Sequence, residues 1–437
     1  MECYNNYKDC GIYYLPLLPS DWQILRAKYL FKQEQRPVRD SDEIITCFRD
    51  GQVTLRRNRR IDGFTNSLKE IGYQGVRRGD LVIHNMDAFA GAIGISDSDG
   101  KATPVYSCCT PLLESIDSYY YCFFLRYLAK SNFILSLAKG IRERSTDFRF
   151  SDFKKLYLPV PSYSEQQAIV DYLDKETGKL DAAVEKLERM VDVLKERKQL
   201  IISKAVTRGL DDSVPLKDSG VECIGQIPKH WQELKIKFCL ENKPNNIKVG
   251  PFGSDLKSSD YSITGYWVYN QRTVLDQNFT SNEIFVNKKK FQQLSAFEVF
   301  PGDFLITTRG TIGKVAIVPD NYFKGILHPC IIRFRVDDRI LNKYYLRYIF
   351  NGSDVVINQI LSKSNATTID AIYSSSLKDI KVTIPEYNEQ CAIVAYLDEE
   401  TGKLDAAVEK LERMIELLKE RKQILISDVV TGKIKVA

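Results

Sequence analysis

Histidine is scarce in this chain. Only His84, His230 and His328 occur in 437 residues, far apart in sequence. No Cys/His spacing suits zinc, so a structural or catalytic zinc site is not expected. The ten cysteines are irregularly spaced and include no CxxC pair. That pattern favours reduced thiols in a cytoplasm over a disulfide framework. No GxGxxG follows a strand-like run, so no dinucleotide or S-adenosylmethionine loop is evident. Gly178-Lys179, Gly313-Lys314, Gly402-Lys403 and Gly432-Lys433 are each followed by a hydrophobic residue. The Ser or Thr that a P-loop needs for Mg²⁺ is missing, which excludes that nucleotide site. No long apolar run is uninterrupted. Tyr119 to Ala138 is broken by Arg126 and Lys130 and reads as a buried helix rather than a membrane span. No targeting segment is visible. The formal charge of +5 is mild; it permits a nucleic-acid partner without demanding one.

What is present is said twice. Glu165 to Thr207 and Glu389 to Thr431 align at a constant offset of 224 with 33 of 43 positions identical. Lys8-Asp9-x-Gly11 and Pro19-x-x-Trp22-Gln23 recur as Lys217-Asp218-x-Gly220 and Pro228-x-x-Trp231-Gln232 at an offset of 209. The period is far too long for a solenoid and implies two copies of one domain-plus-helix unit. Between the repeated ends the two middles share only fragments, such as Val76-x-x-Gly79-Asp80-Leu81 with Val299-x-x-Gly302-Asp303-Phe304. A fixed frame therefore carries two different inserts, a plan suited to two different specificities. The expected domains are residues 1–160 and 212–385, each followed by a helical segment, 161–211 and 386–437.

Residues 1–20 read as irregular. Residues 22–160 alternate short apolar runs with Gly, Asp and Asn turns, as strands of a mixed sheet do. Tyr119 to Lys139 is an expected helix, and Leu156 to Pro161 a last strand. The second unit repeats this with strands at 304–308, 314–318, 331–336 and 380–385 and a helix over 342–350. Asp211 to Pro228 reads as a polar connector. Ser164 can cap a helix to about Asp174, Thr177-Gly178 allows a bend, and a long helix follows from Lys179 to Thr207. Its apolar positions, Leu180, Val184, Leu187, Val191 and Leu194, then Lys198, step by four and three. Leu404, Val408, Leu411, Ile415 and Leu418, then Lys422, do the same in the second copy. That is a heptad seam with one lysine interruption. Two such seams in one chain predict antiparallel helix pairing.

No catalytic set stands out. The chemistry-bearing residues are basic and polar loops within the inserts. The first insert carries Arg56-Arg57-Asn58-Arg59-Arg60, Arg77-Arg78, His84-Asn85 and Arg142-x-Arg144. The second carries Gly250-Pro-Phe-Gly253-Ser254, Asn270-Gln271-Arg272, Thr307-Thr308-Arg309-Gly310 and Ser362-Lys363-Ser364-Asn365. Arginine clamps phosphate or the O6/N7 edge of guanine, and Asn or Gln reads adenine. The candidate DNA contacts are Arg57, Arg59, Arg60, Asn85, Arg142, Arg144, Gly253, Ser254, Gln271, Arg272, Thr308, Arg309, Lys363 and Asn365. A solvated surface is the plainer reading of any single one.

Together these features resemble the specificity (S) subunits of type I DNA restriction-modification systems. The resemblance rests on Leu18-Pro19-x-x-Trp22 and Ile227-Pro228-x-x-Trp231, on Gly250 to Ser254, on Arg309-Gly-Thr-Ile-Gly-Lys-Val315, on the Glu-Gln-x-Ala-Ile-Val starts and on the TGKLDAAVEKLER helices. It implies an α+β chain: two mixed α/β target recognition domains joined by two long helices in an antiparallel coiled coil, with a pseudo-twofold internal repeat. It implies a non-catalytic role, reading a split target on double-stranded DNA. It further implies two methyltransferase (M) subunits and two motor-nuclease (R) subunits as partners, with S-adenosylmethionine, ATP and Mg²⁺ belonging to those partners and no cofactor in this chain. The first insert departs from the pattern: it has no GPFGS and no RGTIGK, and Asn85 to Gly91 stands near that place. The alternatives are a stand-alone nuclease with duplicated DNA-binding domains, which would need a carboxylate-lysine metal site, and a coiled-coil scaffold that does not bind DNA.

Overall fold

The computed structural model describes residues 3–59, 71–137, 147–281, 284–362 and 372–436. The chain divides into two compact units, Met1–Glu188 with Glu412–Ala437, and Arg189–Leu411.

Each unit is built on the same antiparallel four-stranded sheet. In the first unit the order is Phe31–Glu34, Tyr106–Pro111, Leu81–His84, Ile93–Ile95; in the second it is Ile247–Val249, Ile331–Phe334, Phe304–Thr307, Val315–Ile317. The register is alike: Tyr106 faces His84 and Cys109 faces Leu81, as Ile331 faces Thr307 and Phe334 faces Phe304. The central strands Leu81–His84, Phe304–Thr307 and Ile331–Phe334 are buried nearly throughout, which explains their continuous apolar runs. The second unit adds a smaller sheet in which Tyr266–Tyr269 runs parallel to Gly325–Leu327. In both units the entry strand pairs with the last strand, Gln23–Arg26 with Tyr157–Val160 and Gln232–Lys235 with Lys381–Ile384. Each insert thus begins and ends on one ladder.

The recurring Gly-Asp fragment is a structural turn. Gly79 and Gly302 have φ of +90° and +81°, a region costly for other residues. The buried carboxylates of Asp80 and Asp303 accept the amides of Arg77 and Phe300 at 2.8 Å. Burial raises the Asp303 pKa, and Arg333 and Arg335 beside it oppose that shift.

Residues 3–20 are more regular than expected. Tyr7–Ile12 and Leu15–Pro19 form a hairpin, and Leu216–Asp218 pairs with Gln226–Pro228 inside the expected connector. The cause is the repeated Lys-Asp-x-Gly: Asp9 and Asp218 accept the amides of Gly11 and Gly220 at 2.8 and 2.9 Å, closing a turn on the side chain. The helix expected from Tyr119 to Lys139 starts at Ser118, capped by Asp117, and stops at Lys130. Asn132 takes a left-handed φ of 61° there and ends the α pattern.

The expected bend at Thr177-Gly178 does not occur. One helix runs unbroken from Tyr163 to Arg208, 46 residues, and the other from Tyr387 to Val430, 44 residues. A mid-helix glycine costs ~1 kcal/mol, and here burial of Leu173, Thr177 and Val184 on one stripe offsets it. Ser162, not Ser164, stands before the first turn. Gly209 and Gly432, with φ of +74° and +72°, close the helices. Burial along both helices follows the heptad. Val184, Val191 and Ile415 are buried, Leu180, Leu187, Leu194, Leu404, Val408, Leu411 and Leu418 are half-buried, and the charged positions between them face water. Within the first unit Lys422 and Lys419 meet Asp181 and Glu188 at 2.7 and 2.9 Å, and within the second Lys198 meets Asp405 at 2.6 Å. These pairs fix an antiparallel coiled coil.

Buried polar side chains tie each long helix to the rest of its unit. Gln390, fully buried, donates to the Ile340 and Pro385 carbonyls at 3.0 Å and accepts the Asn342 amide at 2.7 Å. Gln166 does the same with Ser115, Pro161 and Asp117. Tyr345 donates to the Val206 carbonyl and Tyr120 to that of Val430, near the helix ends. Trp22 and Trp231 are sealed in their cores, beside Gly432 and Gly209.

Candidate nucleic-acid interface

In the second unit three strand ends meet on one turn, His328 to Cys330. The Tyr266–Tyr269 strand accepts the His328 amide at Tyr269, 3.0 Å. The Phe304–Thr307 strand delivers Thr308, whose amide and hydroxyl both donate to the Cys330 carbonyl at 3.1 and 2.9 Å. The Ile247–Val249 strand delivers Gly250, whose amide donates to Ile331 at 2.9 Å. A Cβ on Gly250 would lie 2.1 Å from the His328 carbonyl oxygen, so only glycine lets that backbone approach. The His328 Nδ1 accepts the Cys330 amide at 3.2 Å, which requires an unprotonated ring nitrogen; burial lowers its pKa in the same sense.

Asn270 caps the short helix Gln271–Leu275 by accepting the Thr273 amide at 3.1 Å, so Gln271 and Arg272 are presented on its first turn. Thr308 leads into a loop turned by Gly310 and Gly313, with φ of +63° and +76°. Gly310 lies against Gln271: its Cβ would stand 3.3 Å from Nε2. Gln271 and Arg309, 38 positions apart in sequence, are therefore neighbours. Arg309 is exposed, and among the described residues no hydrogen bond or ion pair holds its guanidinium. Arg272 is exposed and ion-paired to Asp276 at 3.3 Å. Gly253 and Ser254 are exposed on the neighbouring turn. Thr308 is buried and supports the loop instead of facing outward.

In the first unit Asn85 occupies the place of Thr308. Phe148 donates its amide to the Asn85 carbonyl at 2.8 Å, as Ile372 donates to Thr308 at 2.9 Å. The Asn85 side chain is buried and accepts from the Ser107 hydroxyl at 2.8 Å. It lines a cleft of about 700 Å³ with Gln33, Met86, Ser107, Asp147 and Arg149. Gln33, Ser107 and Arg149 carried no sequence signal of their own; strand pairing joins the first two, and the Phe148–Asn85 bond brings in Arg149. Arg57 and Arg59 lie elsewhere in the unit, ion-paired at 2.6 Å to Glu43 and Asp50, with Arg59 also 4.2 Å over the Phe48 ring. His84 repeats the His328 arrangement, its Nδ1 accepting the Asp87 amide at 3.0 Å and its pKa lowered by burial. Arg60, Arg142, Arg144, Lys363 and Asn365 lie outside the described residues.

Among the described residues no cluster of three or more His, Cys, Asp or Glu could hold a metal ion, and no helix is long and apolar enough to cross a membrane.

Residues 255–417 match the family model for the type I restriction modification DNA specificity domain. The chain is 22% identical over 283 residues to the type I restriction enzyme EcoBI specificity subunit of Escherichia coli, covering 63% of this chain and 58% of that one. It is 19% identical over 322 residues to the StySPI specificity subunit of Salmonella potsdam, covering 71% and 65%. The alignments thus span less than two thirds of either relative's length. A solved structure, from work on complex assembly and conformational transition of the type I R-M system, superposes with a TM-score of 0.68 at 18% identity. It covers 95% of this chain and 99% of the other, which establishes the fold. Family model, curated relatives and solved fold agree: this chain is similar to the specificity subunits of type I restriction-modification systems.

Proposed function

We propose that this chain is the non-catalytic, DNA-reading subunit of a type I restriction-modification complex and that it recognises a two-part target on double-stranded DNA. The observation that carries this reading is one frame bearing two different sets of loops. The order of the four-stranded sheets, the Gln166 and Gln390 contacts and the helix closures recur, while the loops at the strand ends differ. Residues 1–160 and 212–385 act as the recognition domains, and 161–211 and 386–437 as the spacer.

In the second domain Arg309 and Gln271 read base edges, and Arg272, Gly253, Ser254, Lys363 and Asn365 also contact DNA. In the first, the cleft at Asn85 serves this purpose, and Arg57, Arg59, Arg60, Arg142 and Arg144 contact phosphate. The seam residues Leu180 to Leu194 and Leu404 to Leu418 hold the helices together. Outside the seam a second apolar set repeats: Met190, Val193 and Leu200 are exposed, as are Met414, Leu417 and Ile424 at the same offset. This set supports docking of two M subunits, with two R subunits joining for cleavage. Methylation, ATP use and cutting, with S-adenosylmethionine, ATP and Mg²⁺, belong to those partners, in the cytoplasm.

The test is reconstitution with M subunits on DNA. The complex should methylate a two-part sequence, and the chain alone should neither methylate nor cut. Arg309→Ala should weaken specific binding by ~1–3 kcal/mol and relax one base position. Cleavage by the chain alone would favour a nuclease, and an M complex without sequence preference would favour a scaffold.

A further inference from the structure

The turn Gly250 to Ser254 holds an aromatic ring out in water, two residues beyond the point where Gly250 packs on the His328–Cys330 turn. Phe252 is 79% exposed. Burying a phenyl ring is worth ~1.5–3 kcal/mol, so folding alone gains nothing by leaving it there. A single exposed aromatic is unremarkable on a mobile loop, but this turn is pinned at both ends. On one side Gly250 is wedged against the His328 carbonyl and bonded to Ile331. Pro251 follows and fixes its own φ near −65°. On the other side the Phe252 carbonyl accepts the amides of Asp255 and Leu256 at 2.9 and 3.2 Å, and Leu256 is 3% exposed in a core with Val268 and Val286. The ring therefore projects from a braced support. Its neighbour Gly253 is exposed, with nothing within 4 Å of its Cβ position, so a duplex can approach the backbone beside the ring.

The same His328–Cys330 turn that braces Gly250 also carries Thr308, the residue before Arg309. A rigid apolar ring next to polar base-reading groups is the arrangement by which proteins wedge or stack at a base step; the cost of unstacking is met only if the wedge itself does not yield. We propose that Phe252 is a DNA-contacting specificity residue of the second recognition domain, stacking at a base step adjacent to the positions read by Arg309 and Gln271. This rests on the DNA-reading function proposed above.

The experiment uses the full chain in complex with M subunits and duplexes carrying the methylated sequence found for wild type. 2-Aminopurine is placed in turn at each adenine position, or substituted next to each step, of the half-site read by the second domain. Wild type should raise the fluorescence at one step. Phe252→Ala should abolish that rise and weaken target binding about tenfold or more, with random-DNA binding and M assembly unchanged. Phe252→Trp should restore both, and Phe252→Leu should restore affinity only in part. Because the side chain is exposed, these variants should melt as wild type does. Wild-type affinity and an unchanged fluorescence profile in Phe252→Ala would overturn the assignment. So would equal loss on target and random DNA, or loss of M assembly. A wild-type complex without any sequence preference would instead remove the underlying function, and this proposal with it.

Discussion

Lys422 Nζ lies 2.7 Å from both carboxylate oxygens of Asp181, and its repeat counterpart Lys198 lies 2.6 and 2.7 Å from those of Asp405. The lysines are the residues that interrupt each heptad seam. Their charge is met across the coil, within one unit in each case. A polar residue at a seam position fixes register at some cost in stability, and the identity of the two pairs means that both halves of the rod use the same lock.

This lock is open to a charge-swap test. The aspartates are more than half exposed, so each pair should be worth no more than ~0.2–1 kcal/mol. Asp181→Lys should lower the melting temperature, and Asp181→Lys with Lys422→Asp should recover most of the loss at low salt and less at high salt. A double variant no more stable than the sum of the singles would show that the pair does not couple.

Replacing the buried joint should cost more. In Gln390→Leu the Asn342 amide and the Ile340 and Pro385 carbonyls lose their partners. Buried polar groups left unpaired cost ~1–3 kcal/mol each at most. The melting temperature of the full chain should fall more than for Gln199→Leu on the exposed face of the other long helix. Equal shifts would deny the joint its role.

Acid should loosen the turns that His84 and His328 hold. His84 and His328 have folded pKa values lowered below the ordinary 6.5, chiefly by burial. The unfolded chain then binds more protons, so stability is full above about pH 6.5 and is lost as pH falls below it toward the folded values. The drop in melting temperature between pH 7.5 and 5.5 should shrink in His84→Asn with His328→Asn. An unchanged drop would show that these rings do not set the acid limit.

The frame was legible in the sequence because it is written twice under tight constraint. The heptads, the helix end at Gly209 and the strand runs all follow local patterns. The bend assigned to Thr177-Gly178 failed because one glycine cannot break a helix whose neighbours on both sides are buried along one stripe. The hairpins at residues 7–19 and 216–228 were hidden because their turns close on an aspartate side chain instead of on an Asn-Gly signal. Gln166 and Gln390 gave no warning either: a glutamine in a polar helix start looks solvated until the tertiary fold brings three backbone groups onto it. The site was half legible. Arginine, glutamine and glycine marked the loops, but the meeting of Gln271 with Gly310, and of Gly250 with His328, depends on long-range sheet order. Thr308 and Asn85 sit in those loops yet point into the fold, which composition cannot tell.

The helices should also set the gap between half-sites. Inserting one heptad in register into both should add at most ~10 Å, or about three base pairs, while the seam stays in phase and the bases read do not change. An active variant with the original gap would show that another element is the ruler.

The most direct test of the two-domain reading is methylome sequencing of cells carrying either this chain or a version in which residues 22–160 are replaced by the corresponding insert of a relative. The expected result is a two-part methylated sequence in which the exchange alters one half and leaves the other half and the gap intact. A change in both halves, or methylation without a two-part sequence, would contradict it.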